Sequence, residues 1–529
     1  MLRMNTNLFK NSKSFYVIFL FFFSVSVNQF YGFLGLNPID SFASFNAGYD
    51  ILNGHFPFKD YWTITGPAIA FIQALFFKIF GVSWFSYVFH ASILNFILTI
   101  STFFLLYNFK LNINFCFFYS ILVAILAHPS TGTPYVDQQA AYYSTISIFC
   151  FILALKTNLR IFWFFLPILL VLSFLSKQAP TAYIVIILSI FSTYYFILNF
   201  NLNKIIFGLF GVATIVTLFF LVLLIAEIPF KLFLEQYILF PLSVGEGRYD
   251  YLEPISFTRF FLRFKLIHFG TIILVAAIIK NINKKIQYVK SSEFIIILTL
   301  ISCGYGFITH QLMTINGIFI FFLIPIFFAF SHIFYLKYFG ERKYILYLII
   351  FMVVGSTGNY GYKYIHKRDF WDLQNVSLKN AINGEELDVS LKGLKWKTVL
   401  YPEDPKEEIS NLKEVINIIR KDNREKSLIT DYQIISVILS IYDYSPSKVW
   451  FEFHVNPSRG TKYYNAYKKF FLNKLIKNNI EVIYVIRPLW GGKNTVENVL
   501  DKGCFLKKNI TKILDSYLLI KCKDFEDQT

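Results

Sequence analysis

Eleven Asp and Glu residues precede position 363, and nine of them fall in alternate connecting segments: Asp40, Asp50, Asp60, Asp137, Glu227, Glu235, Glu246, Asp250 and Glu253. Only Glu293 and Glu341 fall in the others. Acidic residues do little to orient a membrane protein, so this one-sided set needs another cause. A catalytic or binding face supplies one. A carboxylate there can take a proton from a hydroxyl or cap a helix. Fixed cations can stabilise a phosphate, and they do so best where water is scarce. The candidate cations are Lys177, in Leu175-Ser176-Lys177-Gln178, and Arg248, Arg259, Arg263 and Lys265 of one long segment. A lone lysine at a helix end also snorkels, so Lys177 carries both readings. His310-Gln311 stands at the edge of an apolar span, where a histidine either serves function or bonds a neighbouring helix.

These residues must be positioned by membrane helices. The chain is 55% hydrophobic, 20% aromatic and only 16% charged, with 64 Phe, where a soluble protein would carry about a quarter charged residues. Stretches of about 18 or more apolar residues are long enough to cross a bilayer. Candidate spans are 15–36, 84–108, 112–128, 142–157, 160–177, 180–199, 204–226, 266–280, 293–310, 312–336 and 343–362, about eleven. The first follows Lys10 and Lys13 but runs on through Asn28 and Gln29 without a small-residue cleavage site, so it reads as an uncleaved anchor. With the N-terminus cytoplasmic, the cytoplasmic segments hold 14 Lys and Arg against 8 in the opposite loops, as the positive-inside rule requires. The net charge of +17 follows from these flanks and a lysine-rich tail; no aromatic-basic motif for nucleic acid is present.

Two outer loops are long, 37–83 and 227–265. In the first, Phe42, Phe45, Tyr49 and Leu52 recur at helical spacing over 40–53. Asp40 then projects to the other side, near Ala43, Ser44 and Ala47, and Asp50 points away into solvent. Asp60, beside Tyr61 and Trp62, either contacts a sugar or sits at the headgroup level. Residues 67–80 form an apolar segment of interfacial length. From 363 onward the chain carries 28 Lys and Arg and 22 Asp and Glu. Strand-like runs at 427–430, 448–455, 481–487 and 516–522 alternate with helical runs at 407–421, 431–441 and 462–478, which predicts a soluble α/β domain over 363–529. Segment 369–405 reads as a linker with some local structure. Asp431, Asp443 and His454 form no visible constellation and read as structural. Cys504 and Cys522 can pair if this domain lies in an oxidising compartment; Cys116, Cys150 and Cys303 lie in apolar spans as small hydrophobes.

The order Asp40, Gly48, Ile51-Leu52, Gly54, Pro57-Phe58, Asp60-Tyr61-Trp62, Gly66-Pro67, Ala74, Phe80-Gly81 resembles the start of the GT-C membrane glycosyltransferases, which include protein O-mannosyltransferases and lipid A aminoarabinose transferases. The resemblance covers 15–362 in layout and 37–107 in motif. It implies that Asp40, near the end of the first helix, is the catalytic base. It implies that Asp137, in His128-Pro-Ser-Thr-Gly-Thr-Pro-Tyr-Val-Asp137, faces donor or acceptor; the alternative is a cap for the span at 142. It also puts His310 where the family has a basic residue before a span with a proline, here Pro325. The family often has an acidic pair where this chain has Asp40-Ser41, which weighs against a metal at that point; the reaction needs no cofactor, and a divalent metal stays open.

The expected function is transfer of a sugar from polyprenyl phosphate to a hydroxyl of a glycan, lipid or protein. The expected place is the outer face of a bacterial inner membrane, with inversion. An O-antigen polymerase or ligase is one alternative, although such enzymes carry their large outer loop between spans. A transporter or flippase is another, for which internal repeats and mid-span polar residues would be expected. No HExxH, CxxC, Walker-type or GxGxxG pattern is present.

Overall fold

Without water in a bilayer core, backbone N–H and C=O groups must pair within the chain, so apolar segments there become helices. A computed structural model describes residues 6–128, 132–248, 256–282, 286–314, 320–366, 373, 376–450, 455–489 and 495–522. The first outer loop follows α1 (Thr6–Gly32) and holds α2 (Pro38–Leu52) and α3 (Pro67–Phe80). The bundle continues with α4 (Trp84–Asn108), α5 (Ile113–Leu126), α6 (Val136–Thr157), α7 (Ile161–Ser176), α8 (Gln178–Leu198) and α9 (Leu202–Ile225). After α9 come α10 (Phe230–Phe233), a π-helical turn at Leu234–Leu239 and α11 (Phe240–Arg248). Then α12 (Lys265–Ile282), α13 (Ser292–Thr314), α14 (Leu323–Phe339) and α15 (Lys343–Gly361) complete the bundle.

Among the described residues, eight of these helices are long and apolar enough to cross a membrane: α1, α4, α6, α8, α9, α12, α13 and α15. The remaining expected spans correspond to the shorter apolar helices α5, α7 and α14. Helix α6 begins six residues earlier than the apolar pattern of 142–157 suggests. It is buried from Asp137 to Leu155, so polar Gln138, Gln139, Ser144 and Thr145 sit inside the bundle. Helix α9 lies at the rim instead, with Leu224 and Ile225 exposed. It closes on α7 through Gly211, where an added Cβ would meet the Phe164 carbonyl at 2.1 Å.

The C-terminal region carries a short hairpin of β1 (Ile382–Asn383) and β2 (Lys395–Trp396), then α16 (Pro405–Lys421). Strand β3 (Lys426–Thr430) is joined to β4 (Val482–Ile486) through α17 (Ile434–Leu439) and α18 (Tyr464–Lys477), and β5 (Phe505–Asn509) and β6 (Leu514–Leu519) end the fold. The sheet order is β3-β4-β6-β5, with β3 and β4 parallel and the other pairs antiparallel. Asp404 caps α16, accepting from Glu407 N–H at 2.9 Å, and Arg420 and Lys421 stand at its negative end. Cys504 and Cys522 form a disulfide.

One expectation changes here. The strand at 448–455 does not form at 448–450, and 451–454, including His454, lie outside the described residues. The local structure in 369–405 includes β2, which docks on the exit of α1: Gly35 N–H donates to Lys395 O and Lys395 N–H to Phe33 O. The core of the C-terminal region is shared with the first loop and α4. Phe42, Phe45, Trp84 and Tyr87 from the first loop and α4 pack in one buried cluster with Trp396, Leu412, Tyr432 and Ile435. Glu408 ties that cluster, accepting from Trp396 Nε1 at 2.8 Å, Thr398 Oγ1 at 2.9 Å and Tyr432 OH at 2.6 Å.

Candidate functional site

Asp40 sits in the first turn of α2, which starts at Pro38 with Asn37 as N-cap. The helix therefore begins before Asp40, and the capping role at Asp40-Ser41-Phe42 falls away. Asn37 Nδ2 donates to Asp40 Oδ2 at 3.2 Å, and the carboxylate is half-buried. Asp40 also acts electrostatically on Tyr87, which lies within hydrogen-bonding reach of Ser44 and Thr133. That tyrosine joins the first outer loop to the segment leading into α6.

Asp137 lies in the first turn of α6, whose N-cap is Tyr135 with no side-chain cap. Its carboxylate turns to other side chains instead. Lys177 Nζ stands 2.6 Å from Asp137 Oδ2, and His310 Nε2 stands 3.5 Å from Oδ1. Asp137 and His310 are each 2% exposed at the side chain, whereas Lys177 is 28% exposed. A buried carboxylate thus holds a lysine whose outer side stays accessible. Lys177 is placed there by the break between α7 and α8, where its own backbone is extended.

A small crevice lies between α2, the loop before α3 and the C-terminal region. Its walls are Ala43, Ser44 and Ala47 on α2, Tyr61, Thr63 and Gly66 of the loop, and Lys448 from the C-terminal region. Asp40 precedes Ala43 and Ser44 by one helical turn on the same face. On the opposite wall, Gly66 lies against the end of α7: a Cβ there would meet Leu175 O at 2.0 Å and Ser176 O at 2.2 Å. Only glycine allows that approach, and it brings the loop beside Lys177. Gln178 Nε2 fixes the same contact, donating to Ile64 O at 3.3 Å and Tyr237 O at 2.7 Å. Arg263 lies further round this end, within electrostatic reach of Arg259, Tyr360 and Tyr364. Arg248 ends α11, and its side chain lies outside the described residues.

Two aspartates land elsewhere than their sequence context suggests. Asp60 is engaged with protein on both oxygens: Phe56 N–H donates at 2.8 Å and Lys474 Nζ of α18 at 2.9 Å. It clamps the outer loop to the C-terminal region. Asp50 is not solvated but 1% exposed, with Lys448 Nζ 2.6 Å from its Oδ2. The same ammonium donates to Asp443 Oδ1 and Oδ2 at 2.8 and 2.9 Å, and it lies 5.0 Å from the Tyr61 ring centroid. Burial pushes the Asp50 carboxyl up to about 7, and Asp443 adds to that push while Lys448 opposes it. One lysine between two carboxylates is balanced when one of them keeps a proton.

Sequence reasoning missed Lys448, Gln178 and Gln236. Gln236 is fully buried, accepting from Thr63 N–H at 3.1 Å and donating to Phe58 O at 2.9 Å. A glutamine or lysine in an apolar context is a usable signal, but its partner is remote in the chain. Among the described residues no three His, Cys, Asp or Glu side chains converge as metal ligands. No protein-family model and no curated protein matches this chain.

Proposed function

We propose that the chain is a GT-C-type glycosyltransferase that moves a sugar from polyprenyl phosphate to a hydroxyl acceptor at the outer face of a bacterial inner membrane. The acceptor oxygen attacks the anomeric carbon as Asp40 takes its proton. The bond from that carbon to the phosphate oxygen breaks, and the lipid phosphate leaves with inversion at the sugar. Lys177, steadied by Asp137, offers positive charge to the departing phosphate. Arg259 and Arg263 are further phosphate contacts, and His310 Nε2 stands beside the second oxygen of Asp137.

The observation that carries this reading is that Asp137-held Lys177 directly follows Ser176, whose carbonyl packs on Gly66 in one wall of the crevice, while half-buried Asp40 stands one helical turn before Ala43 and Ser44 in another wall. Two features support an outer location for that end. The Cys504–Cys522 disulfide belongs to the region packed there, and disulfides persist in oxidising compartments. Lys13, Lys156, Lys204 and Lys280 gather at the other end, each over an aromatic ring.

Asp40→Asn in reconstituted vesicles supplied with a polyprenyl-phosphate sugar tests the reading. Transfer is expected to vanish while the chain stays inserted and keeps its disulfide. Full transfer by this variant would remove Asp40 from the mechanism.

A further inference from the structure

At the end of the bundle remote from the crevice, an open cavity of about 630 Å³ lies between α7, α8 and α9. Trp163, Phe196, Phe200, Lys204, Gly208 and Leu209 are among its lining residues. Lys204 is 4% exposed. Its ammonium donates to Tyr195 OH at 2.7 Å and lies 5.1 Å from the Tyr195 ring centroid, but no carboxylate among the described residues forms an ion pair with it. Trp163 is equally buried, and its Nε1–H has no acceptor among the described residues. The cavity also opens at the start of α9, the positive end of that helix dipole. Two buried donors, one of them a cation, and a helix N-terminus meet here, with no carboxylate among the described residues paired to them.

A buried unpaired charge costs several kcal/mol, so this arrangement calls for an anion from outside. The walls say which kind. Phe200, Ile197 and Leu209 are apolar and strongly exposed, a surface suited to acyl chains rather than water. Basic pockets between spanning helices at the headgroup level bind anionic lipids. Lysine and the helix terminus repel a choline or ethanolamine ammonium, so a zwitterionic headgroup fits less well.

We infer that this cavity is a binding site for one anionic phospholipid, its phosphate between Lys204 Nζ and Trp163 Nε1 and an acyl chain along Phe196, Ile197 and Leu209. The site is separate from the crevice and independent of the proposed reaction. It gives the α7–α9 rim a partner in the leaflet opposite the crevice.

The test uses the full chain in phosphatidylcholine vesicles containing a minority of phosphatidylglycerol, released into native mass spectrometry. One phosphatidylglycerol is expected to stay bound per chain, enriched over its share of the bilayer. Lys204→Met should reduce that retention about tenfold, the weight of one charge-assisted contact. Lys204→Arg should keep it, Trp163→Phe should weaken it, and Lys156→Gln, at an exposed lysine of the same end, should leave it unchanged. Thermal unfolding of Lys204→Met checks that the fold survives the removal of a buried charge. Equal retention of both lipids by the parent chain would overturn the site, and so would undiminished phosphatidylglycerol on folded Lys204→Met. A polyprenyl lipid in place of the phospholipid would overturn it as well.

Discussion

At the crevice end, Asp137 pairs with Lys177, and Asp50 and Asp443 pair with Lys448, all with their carboxylates behind protein walls. At the other end, Lys13, Lys156 and Lys280 lie over the rings of Tyr107, Phe109 and Phe339, and Lys337 pairs with Glu293 nearer the surface. The first arrangement is expensive, because desolvation offsets much of the attraction in a buried pair. The second is cheap, since each lysine keeps its head near water and covers an aromatic face. A chain that needed only orientation and anchoring would use the second kind everywhere. Among the described residues, Lys204 at the other end is buried with only Tyr195 OH as partner, whereas the buried lysine–carboxylate pairs stand at the crevice end and mark it as the end where geometry has to be held.

The contrast can be broken by substitution, and the largest effect belongs to Lys448. Lys448→Met strands Asp50 and Asp443 together in the interior, and a loss of about 3–5 kcal/mol is expected. Denaturant unfolding of the region bearing the disulfide measures it, and adding Asp50→Asn and Asp443→Asn should restore most of the loss. Lys177→Met should lower transfer by about 10²–10³-fold, as loss of a preorganised charge-stabilising group does. An initial-rate assay at saturating donor reads that fall, and an unchanged rate would take Lys177 out of the site.

A pH series comes next in size. Folded Asp50 keeps its proton between 3.8 and about 7, a window in which the unfolded carboxyl has lost it. Stability from this group is therefore full below that window, falls as pH rises through it, and is gone above it. Asp50→Asn should flatten that part of the unfolding-temperature profile while leaving the rest unchanged. The smallest effect lies at the opposite end. Lys13→Gln should cost about 0.5–1 kcal/mol, the value of an exposed cation–π contact, and a larger loss there would erase the distinction between the two ends.

Much of the bundle was legible because membrane helices announce themselves locally. The run at 67–80 became α3, and of the Phe42, Phe45, Tyr49 and Leu52 spacing the first two are buried on α2 while Tyr49 is half-buried and Leu52 exposed. The crevice was legible in part. Asp137 and Lys177 both stood out by type and place, but nothing in either segment shows that they meet. Asp50 was misread because helical periodicity separates apolar from polar faces and does not reveal a second protein surface waiting for the polar one. That surface is Asp443 and Lys448, the latter opening the run 448–455 that reads as a strand in the sequence. Asp60 was open for the same reason, its partner Lys474 lying in α18. The start of α6 was hidden because Gln138 and Gln139 are polar, and a hydropathy pattern stops at them although the helix does not.

The shared core has a consequence for how the molecule is made. Asn46 Nδ2 meets Ser436 Oγ at 2.7 Å, a separation of 390 residues. The first loop is translated early, yet Phe42, Phe45 and Trp84 wait for Trp396 and Tyr432, which follow the last helix of the bundle. Contacts of such high sequence separation form late, and apolar surface left open in the interval invites aggregation. A chain stopped after α15 would contain all the membrane-length helices among the described residues and still lack the cover of its own entry loop, so nonsense mutations beyond residue 362 should behave as failures of maturation rather than as loss of an accessory module.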